Sequence, residues 1–147
     1  MIGRLLLRIL QAKDVQPDDL CILTPYTAQR SRIRKEITGL RMVTSHLTSQ
    51  KFSSLVDQQT ESALHSSVTC LEDTADLERE LAIVSTTRSN SKLQELDLLG
   101  DPRSINTLLT RARRGLIIIG DIQSLSIDEN WREWFFWANS NGILTTI

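Results

Sequence analysis

NTLLTRARRGLIIIGD, residues 106–121, passes from a helix-like segment carrying three arginines through Gly115 into a dense apolar run. That run, GLIIIGD (115–121), is short and bounded by turn signals, the pattern of a strand buried on both faces of a parallel sheet. Upstream, Asp101-Pro102 starts a helix, with the aspartate as N-cap and the proline at the first helical position. Gly115 is its expected stop. Ile105, Leu108, Leu109 and Ala112 then share one face at i, i+3, i+4 and i+7. At about 100° per residue, Arg114 points away from that face, and Arg111 and Arg113 lie on its borders. For Arg114, offsetting the helix dipole by ~0.3–1 kcal/mol is reason enough. At Arg111 a border position lets the stem pack while the guanidinium reaches along the sheet. Open α/β sheets gather ligands near the carboxyl ends of their strands, and a planar fork of donors suits a phosphate better than an ammonium does.

The rest of the chain repeats the alternation. Residues 2–12 read as an amphipathic helix through Leu5, Leu6, Ile9 and Leu10, and VQPDD as a turn. LCILTPY (20–26) is a buried-strand candidate. A helix over 28–37 follows, with Ala28, Ile33 and Ile37 inward and Gly39 as its stop. GLRMVTSH (39–46) and LAIVSTTR (81–88) are further strand candidates. Strands alternating with helices argue an α/β domain with a mostly parallel sheet. Residues 47–76, rich in Ser, Thr and Gln, break the rhythm and read as a mobile insertion with one short helix. The tail NWREWFFWANSNGIL holds five of the seven aromatics. Trp131, Trp134 and Phe135 sit at i, i+3, i+4, so a terminal helix packs them onto the sheet. A base-stacking platform is the rival reading, which the helical spacing and the lack of interleaved basic residues disfavour.

Composition sets outer bounds. The 147 residues are 40% hydrophobic, enough for one domain with a real core, 1–147. A net charge of −1 gives no global nucleic-acid signal. Locally, Arg30, Arg32, Arg34, Lys35 and Arg41 face only Glu36 in residues 30–41, either a solvated helix face or a phosphate-binding one. Cys21 and Cys70 read as buried free thiols; His46 and His65 have no ligand partners nearby, so no metal site is expected. The apolar runs fall short of the ~20 residues of a membrane span, and RLLLRIL lacks a signal-peptide pattern. An intracellular protein of nucleus or cytoplasm, with no membrane, is expected.

ILTPYTAQ, IVSTTRSN and NTLLTRARRGLIIIGD, in that order, resemble the second RecA-like lobe of superfamily 1 helicases of the Upf/Dna2/Senataxin-like branch. Within the branch, the zinc-finger-containing helicases are the nearest likeness. The family's motif IV is a strand ending T-P-Y-x-x-Q; its motif VI is N-V-A-L-T-R-A-(K/R)-x-G followed by an apolar strand. The likeness covers roughly 15–46 and 76–147. It implies a RecA-like three-layer sandwich interrupted near 47–76. It implies that Arg111 is an arginine finger, reaching the γ-phosphate of ATP across the cleft between lobes, with Thr110 as its motif partner. Thr24, Pro25, Tyr26 and Gln29 match motif IV, Tyr26 on the nucleotide side and Thr24, Pro25 and Gln29 on the nucleic-acid side. Ser85 and Arg88, with Ser89 and Asn90, match the strand end after motif V, where caps and turns are an equal reading. ATP with Mg²⁺, single-stranded nucleic acid (RNA favoured over DNA), 5′ to 3′ movement, and a first RecA-like lobe in the same longer chain are the implied cofactors, polarity and partners.

The pattern breaks at motif V, usually V-D-x-F-Q-G-x-E-x-D. Counting back from Ser85 puts Glu78 on its ribose-contacting glutamate and Glu80 on its aspartate, but Ala75-Asp76 stand where Gln-Gly belongs. A second alignment takes MVTSHLTSQ as the first half, ending in Gln50, and DLERELAIVST as the second, with Lys51–Ala75 inserted, a lineage-specific loop or a gene-modelling artefact. No G-x-x-x-x-G-K-[ST] phosphate loop is present. The chain by itself is therefore expected to be inactive. Two functions follow: a C-terminal motor lobe of an ATP-dependent helicase, finishing a site on a first lobe, or a catalytically inert helicase-like interaction module.

Overall fold

The computed structural model describes residues 2–46, 56–74, 77–86 and 96–145. Helix α1 (Ile2–Ala12) leads through a 3-10 turn (Pro17–Asp19) into strand β1 (Leu20–Thr24). Then come α2 (Thr27–His46), α3 (Gln58–Ser67), β2 (Val68–Cys70), a 3-10 turn (Leu71–Asp73), and β3 (Arg79–Ser85). A last 3-10 turn (Asp97–Leu99) precedes α4 (Pro102–Leu109), β4 (Ala112–Ile119), α5 (Ile122–Leu125) and α6 (Glu129–Ser140). The described strands form one sheet in the order β2-β1-β3-β4, every pair parallel. This is the RecA-like α/β architecture, a sheet between two helical layers.

Period-two alternation divides the core. Leu20, Ile22 and Ile83 face one side, where Leu6 of α1, Ile33 and Ile37 of α2 and Leu64 of α3 cover them. Cys21, Leu23, Ala82 and Val84 face the other, under Ile105 and Leu108 of α4 and Trp131 of α6. Each fully buried aliphatic side chain contributes ~1.5–3 kcal/mol, and β1, buried at all five positions, is the spine. The tail helix behaves as its spacing predicts. Trp131 is wholly enclosed, stacks on Phe135 at 6.0 Å, and donates its indole N–H to the Leu99 carbonyl at 2.7 Å. Among the described residues no helix is long and apolar enough to cross a membrane.

Three local expectations are corrected. GLRMVTSH is not a strand: α2 runs through it to His46. Gly39 sits mid-helix with open space at its Cβ position, a cost of ~1 kcal/mol. Burial of Leu40 against α1 offsets that cost. A Cβ on Gly3 would lie 2.9 Å from Leu40 Cδ2, so only glycine lets the two helices approach this closely. Ala28, expected inward, is exposed. The sheet's outer strand comes instead from VTC (68–70), inside the segment read as an insertion; three residues are too few for alternation to register.

The arginine helix also differs from its expected extent: it stops at Leu109. Asp101 does cap it, accepting from Ser104 N at 2.9 Å, with Pro102 in the first turn. But Thr110 closes it early: its N–H and its Oγ1 both donate to the Asn106 carbonyl, at 3.1 and 2.8 Å. β4 then begins at Ala112, and Gly115 pairs with Leu81 in mid-strand. The helical-wheel placement of Arg111, Arg113 and Arg114 therefore does not apply.

Candidate functional site

Arg111 occupies the turn between α4 and β4. Its carbonyl accepts from Arg79 N at 3.0 Å, which fixes it where β3 and β4 begin. The expectation of a place near the carboxyl ends is thus corrected: a residue just before a parallel strand sits at its amino end. The half-buried guanidinium turns back over the face that carries α4. Nη1 donates to the Thr74 carbonyl at 3.3 Å and Nη2 to Thr110 Oγ1 at 3.2 Å. Glu78 lies beside it, exposed, accepting from Arg113 Nε at 3.4 Å. Arg114 reaches Asp14 at 3.5 Å and Glu80 at 4.0 Å. Exposed pairs of this kind contribute ~0–1 kcal/mol each. Both Arg113 and Arg114 are thus strand-start residues paired with acids, rather than charges at a helix end. Below them, burial pushes the Cys21 thiol up to about 11, with the Arg79 and Arg111 guanidinium groups pulling the other way.

The motif IV residues gather at the opposite end. β3 has seven residues, so its two ends lie about 20 Å apart. Thr24 and Pro25 are buried, and Thr24 Oγ1 accepts from Tyr26 N at 3.4 Å. Gln29 Nε2 donates to Ser85 Oγ at 3.3 Å, tying α2 to the end of β3. Ser85 is fully enclosed. The Tyr26 ring packs under the second face, its hydroxyl enclosed with no hydrogen-bond partner among the described residues. Glu78, Thr110 and Arg111 are therefore brought together, and Tyr26 stands apart from them with Thr24, Pro25, Gln29 and Ser85. Gln50 and Arg88 lie outside the described residues.

One connection between the two ends escaped the sequence. Arg30, in the first turn of α2, donates to Asp73 Oδ2 at 3.2 Å. Arg111 holds the carbonyl of the very next residue, Thr74. Two guanidinium groups from distant motifs therefore converge on the short turn that follows β2. The basic run of α2 is otherwise partly committed inward, with Arg34 on the Val68 carbonyl at 3.0 Å and Arg41 on Glu61 at 3.0 Å. Arg32 and Lys35 are exposed. Chemically the set offers donors to one side of an anion. Among the described residues there is no glycine-rich cradle of backbone N–H groups, so the described residues do not by themselves fit ATP with Mg²⁺.

The sequence model of a family described as AAA domain matches residues 1–123. Regulator of nonsense transcripts 1 of Dictyostelium discoideum is 37% identical over 115 residues, 78% of this chain and 7% of the relative. The Regulator of nonsense transcripts 1 homolog of Neurospora crassa is 32% identical over 117 residues, 80% of this chain and 9% of the relative. ATP-dependent helicase NAM7 of Saccharomyces cerevisiae is 27% identical over 130 residues, 88% of this chain and 12% of the relative. The chain thus spans between 7% and 12% of the length of these relatives.

Proposed function

Since this chain belongs to the AAA domain family and is a RecA-like lobe of the superfamily 1, Upf1-like helicase kind, we propose that it is the C-terminal motor lobe of an ATP-dependent helicase acting on single-stranded RNA. Its own contribution is Arg111, an arginine finger for ATP held on a first RecA-like lobe in the same longer protein. The observation that supports this most is the acceptor Arg111 now holds. The Thr74 carbonyl is neutral, at 3.3 Å. A phosphate adds ionic attraction and a two-pronged acceptor that a single neutral carbonyl does not offer, so the guanidinium can leave its resting acceptor for a phosphate. Thr110, bonded to Nη2, steers the fork. Glu78, at the same end of the sheet and paired with Arg113, is the carboxylate proposed to accept from a ribose hydroxyl. Thr24, Pro25, Gln29 and Ser85, at the far end of the sheet, are the described residues assigned to RNA, and Tyr26 beside them is assigned to the nucleotide.

When bound, ATP with Mg²⁺ supplies the energy of phosphoryl transfer. This lobe supplies only a positioned charge, Arg111. The test joins the chain to a cognate first lobe. Arg111→Ala should abolish ATP turnover while the lobe still unfolds cooperatively, with a stability loss of ~1–3 kcal/mol from the hydrogen bonds removed. Retained turnover rejects the finger role.

A second reading, an inert helicase-like interaction module, is favoured by one feature: Arg111 already holds two acceptors within its own lobe. ATP turnover by the first lobe with and without this chain separates the readings, since an inert module adds nothing to it.

A further inference from the structure

Asp73 and Thr74 close the 3-10 turn after β2, and each holds a guanidinium from elsewhere in the chain. Arg30, in the first turn of α2, donates to Asp73 Oδ2 at 3.2 Å. Arg111 Nη1 donates to the Thr74 carbonyl at 3.3 Å. Thr74 cannot shift by itself. It is fully buried, and its N–H and Oγ1 both donate to the Leu71 carbonyl, at 3.3 and 2.6 Å. Its own carbonyl also accepts from Leu77 N at 3.0 Å. Leu71 belongs to the core under α4 and α6, whereas α2 covers the opposite face of the sheet. The turn therefore moves as one piece, and the Arg30–Asp73 pair ties that piece to α2. Counted back from Ser85, Asp73 falls on the open position between Asp and Phe in V-D-x-F-Q-G-x-E-x-D. The carboxylate is thus a feature of this chain and not of the motif.

We propose that Asp73 is a positioning residue that holds Arg111 in its resting place and so competes, from within the lobe, with the phosphate Arg111 is to meet. It acts in two ways. Through Arg30 it fixes the turn that carries the Thr74 carbonyl. One residue along from that carbonyl, it also supplies the negative charge that favours a guanidinium there. Arg111 rests half-buried under this hold, with its Nε enclosed. The consequence for catalysis rests on the finger role proposed above; the resting hold does not. The Asp73 side chain is 62% exposed and that of Arg30 30% exposed. Water therefore screens the pair, and its loss shifts the resting equilibrium by about two- to fivefold. A group that is ready for only part of the time lowers the apparent affinity for its ligand in proportion. Removing the carboxylate should thus lower the KM for ATP and leave kcat alone. Glu72 supplies the control, because it is an exposed acid in the same turn. A general effect of net charge would act through either residue.

The test compares Asp73→Asn, Asp73→Glu and Glu72→Gln with the natural 147-residue chain. The amide substitutions are isosteric at exposed positions, so the fold is kept. Hydrogen exchange at the Arg111 Nε–H, followed by NMR at about pH 6 where both carboxylates are ionised, reads how often the enclosed guanidinium leaves its place. Exchange should quicken about two- to fivefold in Asp73→Asn and keep the natural rate in Asp73→Glu and Glu72→Gln. In the two-lobe protein the KM for ATP should fall by the same factor in Asp73→Asn alone, at unchanged kcat. Unchanged Nε–H exchange in Asp73→Asn overturns the proposal, and so does an equal rise in Glu72→Gln. Faster exchange with an unchanged KM, in a protein whose turnover does need Arg111, overturns it as well. Faster exchange in Asp73→Asn alone, in a protein whose turnover survives Arg111→Ala, upholds the hold and rejects only the finger role.

Discussion

Replacing Gly120 with alanine tests the junction of β3 and β4 at a single atom. A Cβ there would fall well inside contact distance of Thr86 Oγ1, 3.0 Å from Leu125 Cδ1 and 3.4 Å from Thr86 Cβ. Thr86 has little freedom to yield. It is buried, its N–H donates to the Ile119 carbonyl at 2.9 Å, and its hydroxyl donates to the same oxygen at 3.2 Å. Overpacking a rigid site costs ~1–3 kcal/mol, and expelling the hydroxyl forfeits a further ~1 kcal/mol of hydrogen bonding. Gly120→Ala should therefore cost about 3 kcal/mol, read from urea unfolding followed by the fluorescence of buried Trp131. Thr86→Ala alone should cost ~1 kcal/mol. In that background Gly120→Ala should cost less than ~1.5 kcal/mol, because the remaining Cβ is at ordinary distance, leaving a coupling of about 2 kcal/mol in the double-mutant cycle. Additive costs, or a neutral Gly120→Ala, would refute the reasoning and mean that the strand ends are not locked together as described.

Trp131→Ala should cost ~3–5 kcal/mol, since it empties the space between α6 and the sheet and orphans the Leu99 carbonyl; Trp131→Phe should cost about half of that, both read from urea unfolding followed by far-UV circular dichroism. Stability should also fall in alkali through Cys21. Its pKa is raised in the fold to about 11, so the neutral thiol's contribution is fully present below about pH 8.5, where the unfolded thiol is also neutral. It is lost at ~1.4 kcal/mol per pH unit as pH rises toward the folded value. Unfolding midpoints at pH 7 and pH 10 check this, and Cys21→Ala should remove that part of the pH dependence.

The strands with strong composition were legible. LCILT, LAIVS and GLIII each place β-branched or apolar side chains on both faces of a parallel sheet, and the structure puts β1, β3 and β4 within a few residues of those runs. Asp101-Pro102 and the Trp131, Trp134, Phe135 spacing were legible because a cap and a helical stripe are local physics. Gly39 misled because a glycine's preference to end a helix is worth only ~1 kcal/mol, less than Leu40 gains against α1. VTC was invisible because a three-residue strand has no pattern, only neighbours. For the site, motif identity carried Arg111 but not its direction. Thr110 ended the helix through a hydroxyl-to-carbonyl bond, a choice that propensity alone does not reveal. The convergence of Arg30 and Arg111 on Asp73 and Thr74 depends on a crossover turn that neither motif contains.

The turnover number for ATP hydrolysis by the two-lobe protein, compared between the natural sequence and Arg111→Ala, bears most directly on the proposed role of this lobe. With the guanidinium delivered from the Thr74 carbonyl to a phosphate across the cleft, kcat should fall by about 10³–10⁵, as for other arginine fingers, with ATP binding nearly unchanged and the lobe still folded. A kcat within tenfold of the natural protein would contradict it and leave Arg111 as a strut holding the turn after β2 to its own lobe.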